Sequence, residues 1–245
     1  MQLLVSVRDE IEAAAAVAGG ADIIDAKEPL AGALGAVSCE VLRAIVAAVR
    51  GARHVTAALG DAADEHTVER DARAFVAAGA ALVKIGFAGV TARTRVEALI
   101  AAAVRGAGAH VIAVAYADHE QAGTAPTEVI LDAAVQGGAA GLLIDTAHKS
   151  GPGLLAVMPA DAIAHTVARV RGAGLIAVLA GRLTAADLSV VRDTGADIAG
   201  VRGAACDEGR TGHISAARIA LLARRLAAES DGYVVSRTGP APLAI

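Results

Sequence analysis

Three lysines are the residues whose type and position most directly suggest chemistry in this sequence. Lysine and arginine together number 22, and only Lys27, Lys84 and Lys149 are lysines. Arginine stays protonated, whereas a buried lysine amine can lose its proton and act as a nucleophile or a base. One lysine by itself would be read as a solvated surface charge. A composition that uses arginine almost everywhere else favours a chemical role for the three together.

Two aspartates lie close to these lysines along the chain. Asp25 is two residues before Lys27, so both side chains can point to the same side of an extended strand. Asp145 ends an apolar run and is four residues before Lys149. A buried carboxylate is costly unless it is paired or hydrogen-bonded. The aspartates can therefore form purely structural ion pairs, or they can transfer protons and tune the pKa of a lysine.

The surrounding pattern predicts eight short strands that alternate with helices. Strand starts are spaced by roughly 20 to 34 residues, the size of one β-helix-β unit. A Gly-Ala turn precedes strands two, four, six and eight. We therefore predict an α/β fold, a (β/α)8 TIM barrel, with an open doubly wound sheet as the alternative. The predicted strands are Leu3–Val7, Asp22–Ala26, His54–Leu59, Leu82–Gly86, His110–Ala115, Gly141–Asp145, Leu175–Ala180 and Asp197–Val201.

In such a barrel the active site lies at the carboxyl ends of the strands, and all three lysines fall at or just past those ends. Phosphate often binds in the loops after strands seven and eight. Gly181 and Arg182 follow strand seven, and Arg202 and Gly203 follow strand eight. Glycine permits close backbone approach and arginine can clamp phosphate oxygens, so these four residues are the candidate phosphate site. Plain turn glycines with surface arginines are the alternative.

Other polar residues give weaker signals. The seven histidines show no metal-ligand spacing, and neither a Walker nor a GxGxxG motif occurs, so we expect no metal and no cofactor. Tyr116 and Asp118 follow strand five and could line the mouth, but loop polar residues are more often solvated. Cys206 has no evident base partner and is interpreted as a bystander.

Composition bounds the partners and the compartment. The net charge is −4 without a basic run, which argues against nucleic-acid binding. We expect no membrane span and no signal peptide. The two cysteines lie far apart in the sequence, so we expect the protein to be in the reducing cytoplasm. Residues 1–230 are predicted to form a single barrel domain and residues 231–245 a loosely ordered tail. A homo-oligomer is expected.

Several segments resemble one known family. They are Leu3–Ser6, Gly19–Lys27, Leu143–Ala147 and Gly200–Cys206, of which the Asp-x-Lys and Val-Arg-Gly-Ala-Ala-Cys motifs are the most specific. The sequence resembles (5-formylfuran-3-yl)methyl phosphate synthase, also called 4-(hydroxymethyl)-2-furancarboxaldehyde-phosphate synthase, from the first strand to the last helix. The alanine-rich character and the segment after Ser230 depart from the archaeal members.

The resemblance implies a (β/α)8 barrel in methanofuran biosynthesis. Such an enzyme joins two molecules of glyceraldehyde 3-phosphate into a phosphorylated furan aldehyde, with loss of phosphate and water. It implies that Lys27 forms the Schiff base and that Lys84 accepts a proton, with Asp25, Asp145 and Lys149 as supporting groups. Two rival hypotheses remain: a class I aldolase acting on a small sugar phosphate, and a barrel that binds phosphometabolites without catalysis.

Overall fold

A computed structural model describes residues 1–61 and 64–227, and these form eight strands with helices between them. The strands are β1 Gln2–Val7, β2 Ile23–Ala26, β3 His54–Asp61, β4 Leu82–Gly86, β5 Val111–Tyr116, β6 Gly141–Asp145, β7 Ile176–Leu179 and β8 Ile198–Val201. The helices are α1 Glu10–Ala18, α2 Cys39–Val49, α3 Glu65–Ala77, α4 Arg93–Ala107, α5 His119–Ala122, α6 Thr127–Gly137, α7 Leu154–Val157, α8 Ala160–Gly172, α9 Asp187–Asp193 and α10 Ala216–Ala227.

The sheet is a closed parallel barrel in sequence order. Strand β1 pairs in parallel with both β2 and β8, with Leu4 opposite Ile23 on one side and Gly200 on the other. Closure removes both sheet edges, and the parallel order requires a crossover between successive strands. The predicted TIM barrel is thus confirmed, and the open doubly wound sheet is excluded.

Strand positions agree with the predictions to within two residues at each end. Strands β4 and β6 match in full, whereas β3 continues to Asp61 through an irregularity between Ala58 and Gly60. The repeated Gly-Ala turns also have a common physical basis. Their glycines all adopt a positive φ, which lets the chain reverse after a helix and enter the next strand. They are Gly20, Gly79, Gly138 and Gly195.

Polar side chains cap the first turns of α1 and α2. Ser38 accepts from the backbone N–H of Val41, and Asp9 accepts from that of Glu12. The spacing Asp9-x-x-Glu12 is typical of a capping box, but the box is incomplete because the Glu12 carboxylate accepts instead from the N–H of Arg8 and from the guanidinium of Arg202. A residue that looked like a local helix cap is therefore part of a buried long-range ion pair.

Side chains inside the barrel form a separate, narrower apolar cluster. It includes Leu4, Ile23, Leu82, Leu143 and Ile198, each from a different strand. Because successive side chains alternate across a strand, residues two positions later point inward one level closer to the carboxyl ends. The level above this aliphatic floor is polar, and it contains the site described below.

Two sequence predictions concern residues that the structure does not describe. The domain boundary at residue 230 and the tail 231–245 lie outside the described residues. Within the described part of the chain, no helix is long and apolar enough to cross a membrane.

Candidate active site

The strand alternation brings Asp25, Lys27, Lys84 and Asp145 to the carboxyl-terminal mouth of the barrel. Asp25 lies two residues beyond Ile23, Lys84 two beyond Leu82, and Asp145 two beyond Leu143, so all three follow residues of the inner cluster. Lys27 follows β2 directly, and its backbone N–H donates to the carbonyl of Val7, which continues the pairing of β1 with β2. All four side chains are buried.

Asp25 is the centre of the first polar group. Its carboxylate accepts from Ser6 Oγ at 2.9 Å, from Thr56 Oγ1 at 2.8 Å and from Lys84 Nζ. The three donors come from β1, β3 and β4, so the group links strands on both sides of β2. An ionised carboxylate with this many donors is stabilised against the cost of burial, and its orientation is fixed.

Asp145 is the centre of the second polar group. Its Oδ1 accepts from Lys149 Nζ at 2.6 Å and from the backbone N–H of Thr146 at 2.7 Å. Burial alone would raise the pKa of Asp145. The positive charges of Lys149 and Lys27, with these two hydrogen bonds, outweigh burial and hold that pKa below its ordinary value.

Lys27 lies among these two groups and has different surroundings. Its Nζ has no hydrogen-bond acceptor among the described residues, whereas Lys84 and Lys149 are each bonded to an aspartate. Burial lowers the pKa of Lys27 from its ordinary value of 10.5 to about 8. The Asp145 and Asp25 charges oppose this shift, and the Lys149 and Lys84 charges add to it. Lys27 is therefore the lysine of the site whose amine has the clearest route to the neutral, nucleophilic form.

The loop after β2 covers one side of the mouth. The N–H of Glu28 donates to the carbonyl of Gly35, which makes residues 28–35 a compact loop. Leu34 of this loop is buried in the inner cluster of the barrel. A Cβ built on Gly86 would come within 2.6 Å of Leu34 Cδ1 and 2.7 Å of Tyr116 Oη, so the glycine at the end of β4 leaves room for this cover.

Tyr116 and Asp118 have structural roles that the sequence reading understated. Tyr116 ends β5, is fully buried, and donates to Asp61 Oδ1 at 2.8 Å, and burial strongly raises the pKa of its phenol. The Asp118 carboxylate accepts from the backbone N–H groups of Ala147 and His148, at 2.7 and 3.0 Å. It therefore fixes the start of the loop that carries Lys149.

The predicted phosphate residues after β7 lie at the mouth. Gly181 is buried with φ of 105°, and a Cβ there would come within 3.2 Å of both the Cγ2 and the backbone nitrogen of Thr146. Arg182 is exposed, adopts a left-handed φ of 55°, and has no side-chain partner in the described part of the chain. Gly203, after β8, begins a 3-10 turn that ends at Ala205.

Arg202 does not agree with the prediction of a phosphate clamp. Its guanidinium pairs with Glu12 through Nη1 at 2.8 Å and Nη2 at 3.2 Å. The other three N–H groups donate to the carbonyls of Ser6, Arg210 and Gly212. All five donors are used by the protein, so the side chain has none left for a phosphate. Arg202 instead ties the loop after β8 to β1 and α1.

Arg210 is a residue of the site that sequence reasoning missed. It lies in the loop after β8, as Arg202 does, and donates to the carbonyls of Pro29 and Gly32. Its only sequence signal is its position after β8. No group of three or more histidine, cysteine, aspartate or glutamate side chains lies together as a metal site within residues 1–61 and 64–227.

Comparisons with known proteins match this chain to one family. The model of the 4-HFC-P synthase family matches residues 3–223. A putative (5-formylfuran-3-yl)methyl phosphate synthase of Methylorubrum extorquens is 38% identical over 205 residues, 84% of this chain and 82% of that protein. The (5-formylfuran-3-yl)methyl phosphate synthase of Methanopyrus kandleri is 37% identical over 216 residues, 85% of this chain and 90% of that protein.

Among solved structures, a 3-hexulose-6-phosphate synthase superposes with a TM-score of 0.60 at 24% identity, covering 91% of this chain and 99% of that chain. A likeness at this identity supports the barrel fold alone. The family match, by contrast, includes both lysine–aspartate groups and the loop after β8. This chain belongs to the 4-HFC-P synthase family.

Proposed function

We propose that this chain is a (5-formylfuran-3-yl)methyl phosphate synthase of methanofuran biosynthesis, which condenses two molecules of glyceraldehyde 3-phosphate through a Schiff base on Lys27. Family membership supports the reaction, since the relatives named for this activity align over most of the chain. The observation that carries the residue assignment is Lys27 itself, a buried lysine with a pKa of about 8 to which no carboxylate of residues 1–61 and 64–227 is bonded.

The first step is attack of the neutral Lys27 amine on the aldehyde of one triose phosphate. Loss of water from the carbinolamine gives an imine, and protonation of that imine makes it an electron sink. The proton on the neighbouring carbon then becomes removable. Lys27 is suited to the initial attack because burial, together with the charges of Lys149 and Lys84, lowers its pKa. A larger fraction of its amine is therefore neutral near pH 7.

Lys84 and Asp25 are proposed to move the proton. Lys84 Nζ is bonded to Asp25, and Asp25 is held in turn by Ser6 and Thr56. A base must be fixed within reach of the reacting carbon, and this network gives Lys84 one position between β2 and β4. Transfer of the ammonium proton to Asp25 would free the Lys84 amine to accept the substrate proton.

Lys149 and Asp145 form the second proposed proton-handling pair. The reaction releases one phosphate and two molecules of water from two trioses, so several oxygen leaving groups must be protonated. Lys149 is partly exposed at the mouth and is bonded to the buried Asp145. It is thus placed to donate a proton to a departing hydroxyl or phosphate, and the Asp145 carboxylate stabilises the protonated form of Lys149 before that transfer.

A substrate phosphate is proposed to bind next to Gly181, Arg182 and the backbone of Gly203. Backbone approach at two glycines suits a phosphate dianion, as does the Arg182 guanidinium, which has no partner among the described residues. For Arg202 we propose a supporting role through its ion pair with Glu12 instead of direct contact with the phosphate, because all five of its N–H groups are bonded to protein acceptors.

Borohydride trapping tests the chemistry. The protein is incubated with glyceraldehyde 3-phosphate and reduced, and the modified peptide is mapped by mass spectrometry. We expect a reduced triose adduct on Lys27, and near-ultraviolet absorbance from a conjugated furan aldehyde in the unreduced reaction. An adduct without furan would identify an aldolase. Binding of the triose without any adduct would leave only a phosphometabolite-binding barrel.

We also propose a cytoplasmic location and a homo-oligomeric assembly. Both cysteines, Cys39 and Cys206, are free thiols, which suits a reducing compartment. Sedimentation of the purified protein would determine the number of chains in the assembly.

A further inference from the structure

The reaction proposed above uses two phosphorylated substrates at one barrel mouth. If that function is right, each of the two triose phosphates brings its own phosphate group to that mouth. Two dianions placed side by side repel each other strongly in a partly dehydrated site, so one cationic position cannot serve both. The phosphate site proposed above at Gly181, Arg182 and Gly203 supplies one such position, and a second cation is therefore required.

Arg210 is the cation that the structure offers. It lies in the loop between β8 and α10, and the Arg202 Nε–H donates to its backbone carbonyl at 2.7 Å. The Arg210 side chain is half-buried and reaches across the mouth, where Nη1 donates to the carbonyl of Pro29 and Nη2 to that of Gly32 at 2.6 Å. Arg210 thus bridges the loop after β8 and the loop that follows Lys27.

The guanidinium keeps unused binding capacity. Two of its five N–H groups are bonded to carbonyls, and the other three have no acceptor among residues 1–61 and 64–227. Nor does any carboxylate of the described residues lie within ion-pairing distance of it. A half-buried guanidinium that meets only neutral carbonyls is a positive charge without a counterion.

The contacts of Arg210 place its charge beside the loop that follows Lys27. Burial and the neighbouring Arg202 charge lower the pKa of Arg210, while the Asp145 and Glu28 charges partly offset them. Arg210 lies in the loop after β8 and reaches the loop after β2, whereas Arg182 follows β7, so the two arginines belong to separate loops.

We propose that Arg210 binds the phosphate of the second triose phosphate, the one that joins the Lys27 adduct. Its carbonyl bonds to the 28–35 loop would hold that loop in place while the free N–H groups take phosphate oxygens. One residue thereby links occupancy by the second substrate to the loop next to the Schiff-base lysine.

The test compares Arg210→Gln with Arg218→Gln. Arg218 is an exposed arginine on α10 that pairs with Asp207, so it is a matched control outside the mouth. Furan formation and trapping of the Lys27 adduct are measured against glyceraldehyde 3-phosphate concentration. Trapping is repeated with unphosphorylated glyceraldehyde, which reports the state of the loop and of Lys27 without a phosphate.

For Arg210→Gln we expect kcat/KM for furan formation to fall by about 10- to 100-fold, the usual size of a lost charge-assisted contact. Trapping with either aldehyde should stay at the level of the wild type and of Arg218→Gln. Arg210→Lys should recover part of the rate of furan formation, since it restores the positive charge without the planar guanidinium that can donate two hydrogen bonds to one phosphate.

Three results would overturn the proposal. Unchanged furan formation would remove Arg210 from substrate binding. A matching loss of trapping with glyceraldehyde 3-phosphate alone would assign it to the first phosphate, and a loss with both aldehydes would make it a loop anchor only. Failure of the proposed function would look different, because wild-type protein would then give neither adduct nor furan.

Discussion

The pH dependence of imine formation at Lys27 is the sharpest test of the site electrostatics. Burial lowers the pKa of this amine from 10.5 to about 8, which at about 1.4 kcal/mol per pH unit corresponds to roughly 3 kcal/mol. At pH 7 roughly one Lys27 amine in ten is then neutral, against about one in 3,000 for an ordinary lysine. The predicted advantage in initial attack on an aldehyde is therefore about 300-fold.

The rate of adduct formation on Lys27 should be measured by rapid borohydride quenching between about pH 6 and pH 10. We expect it to rise with pH, about tenfold per unit at the acidic end, and to level off above about 8, where the amine is mostly neutral. A rate that keeps rising towards 10.5 would refute the argument that burial neutralises Lys27. Thermal unfolding over the same range checks that the fold is intact at each pH.

Two substitutions should move that midpoint in opposite directions. Asp145 is the charge that most raises the pKa of Lys27, and Lys149 is the charge that most lowers it. Asp145→Asn should therefore shift the midpoint to lower pH, and Lys149→Met should shift it to higher pH. Shifts in the same direction would mean that rearrangement of the loop after β6, and not charge, controls Lys27.

Three further predictions concern stability and packing. Lys27→Met should abolish furan formation yet raise the free energy of unfolding by up to about 3 kcal/mol below pH 8. Because the pKa of folded Lys27 is depressed, this gain should shrink between pH 8 and 10.5. Urea unfolding at several pH values measures both effects. Arg202→Met leaves Glu12 buried with a single weaker partner, Arg8, and should cost about 3 kcal/mol in urea unfolding; a neutral effect would contradict its structural role. Gly86→Ala places a methyl group within 2.7 Å of Tyr116 Oη and should lower the thermal midpoint, whereas Gly172→Ala, with open space around it, should not.

The fold and the lysines could be predicted because their signals are local or compositional. Eight apolar runs of strand length, separated by helix-sized segments, are recognised without knowledge of long-range contacts, and their number favours a closed barrel over an open sheet. The scarcity of lysine is equally visible in the sequence. Positions near or just past the strand ends then place Lys27, Lys84 and Lys149 at one end, since parallel strands share the direction of their carboxyl ends.

The roles of individual arginines could not be predicted, because the groups that accept their N–H hydrogen bonds lie far away along the chain. Arg202 and Arg210 are both arginines after β8, and Arg202 looks like the better phosphate ligand beside Gly203. Its partner Glu12 lies 190 positions away and resembles a helix-capping residue. Arg210 meets carbonyls of the loop after β2, about 180 positions away, which no spacing rule connects to it.

The lysine–aspartate arrangement explains why one lysine of three differs from the others. If all five groups are ionised, Lys27, Lys84 and Lys149 exceed Asp25 and Asp145 by one positive charge in a buried space. Each aspartate is directly bonded to one lysine, Asp25 to Lys84 and Asp145 to Lys149. The unbalanced charge therefore falls on Lys27, and loss of its proton is the change that restores neutrality. Imine formation at Lys27 uses the neutral amine that this charge count favours, so the same imbalance that disfavours folding supports the chemistry.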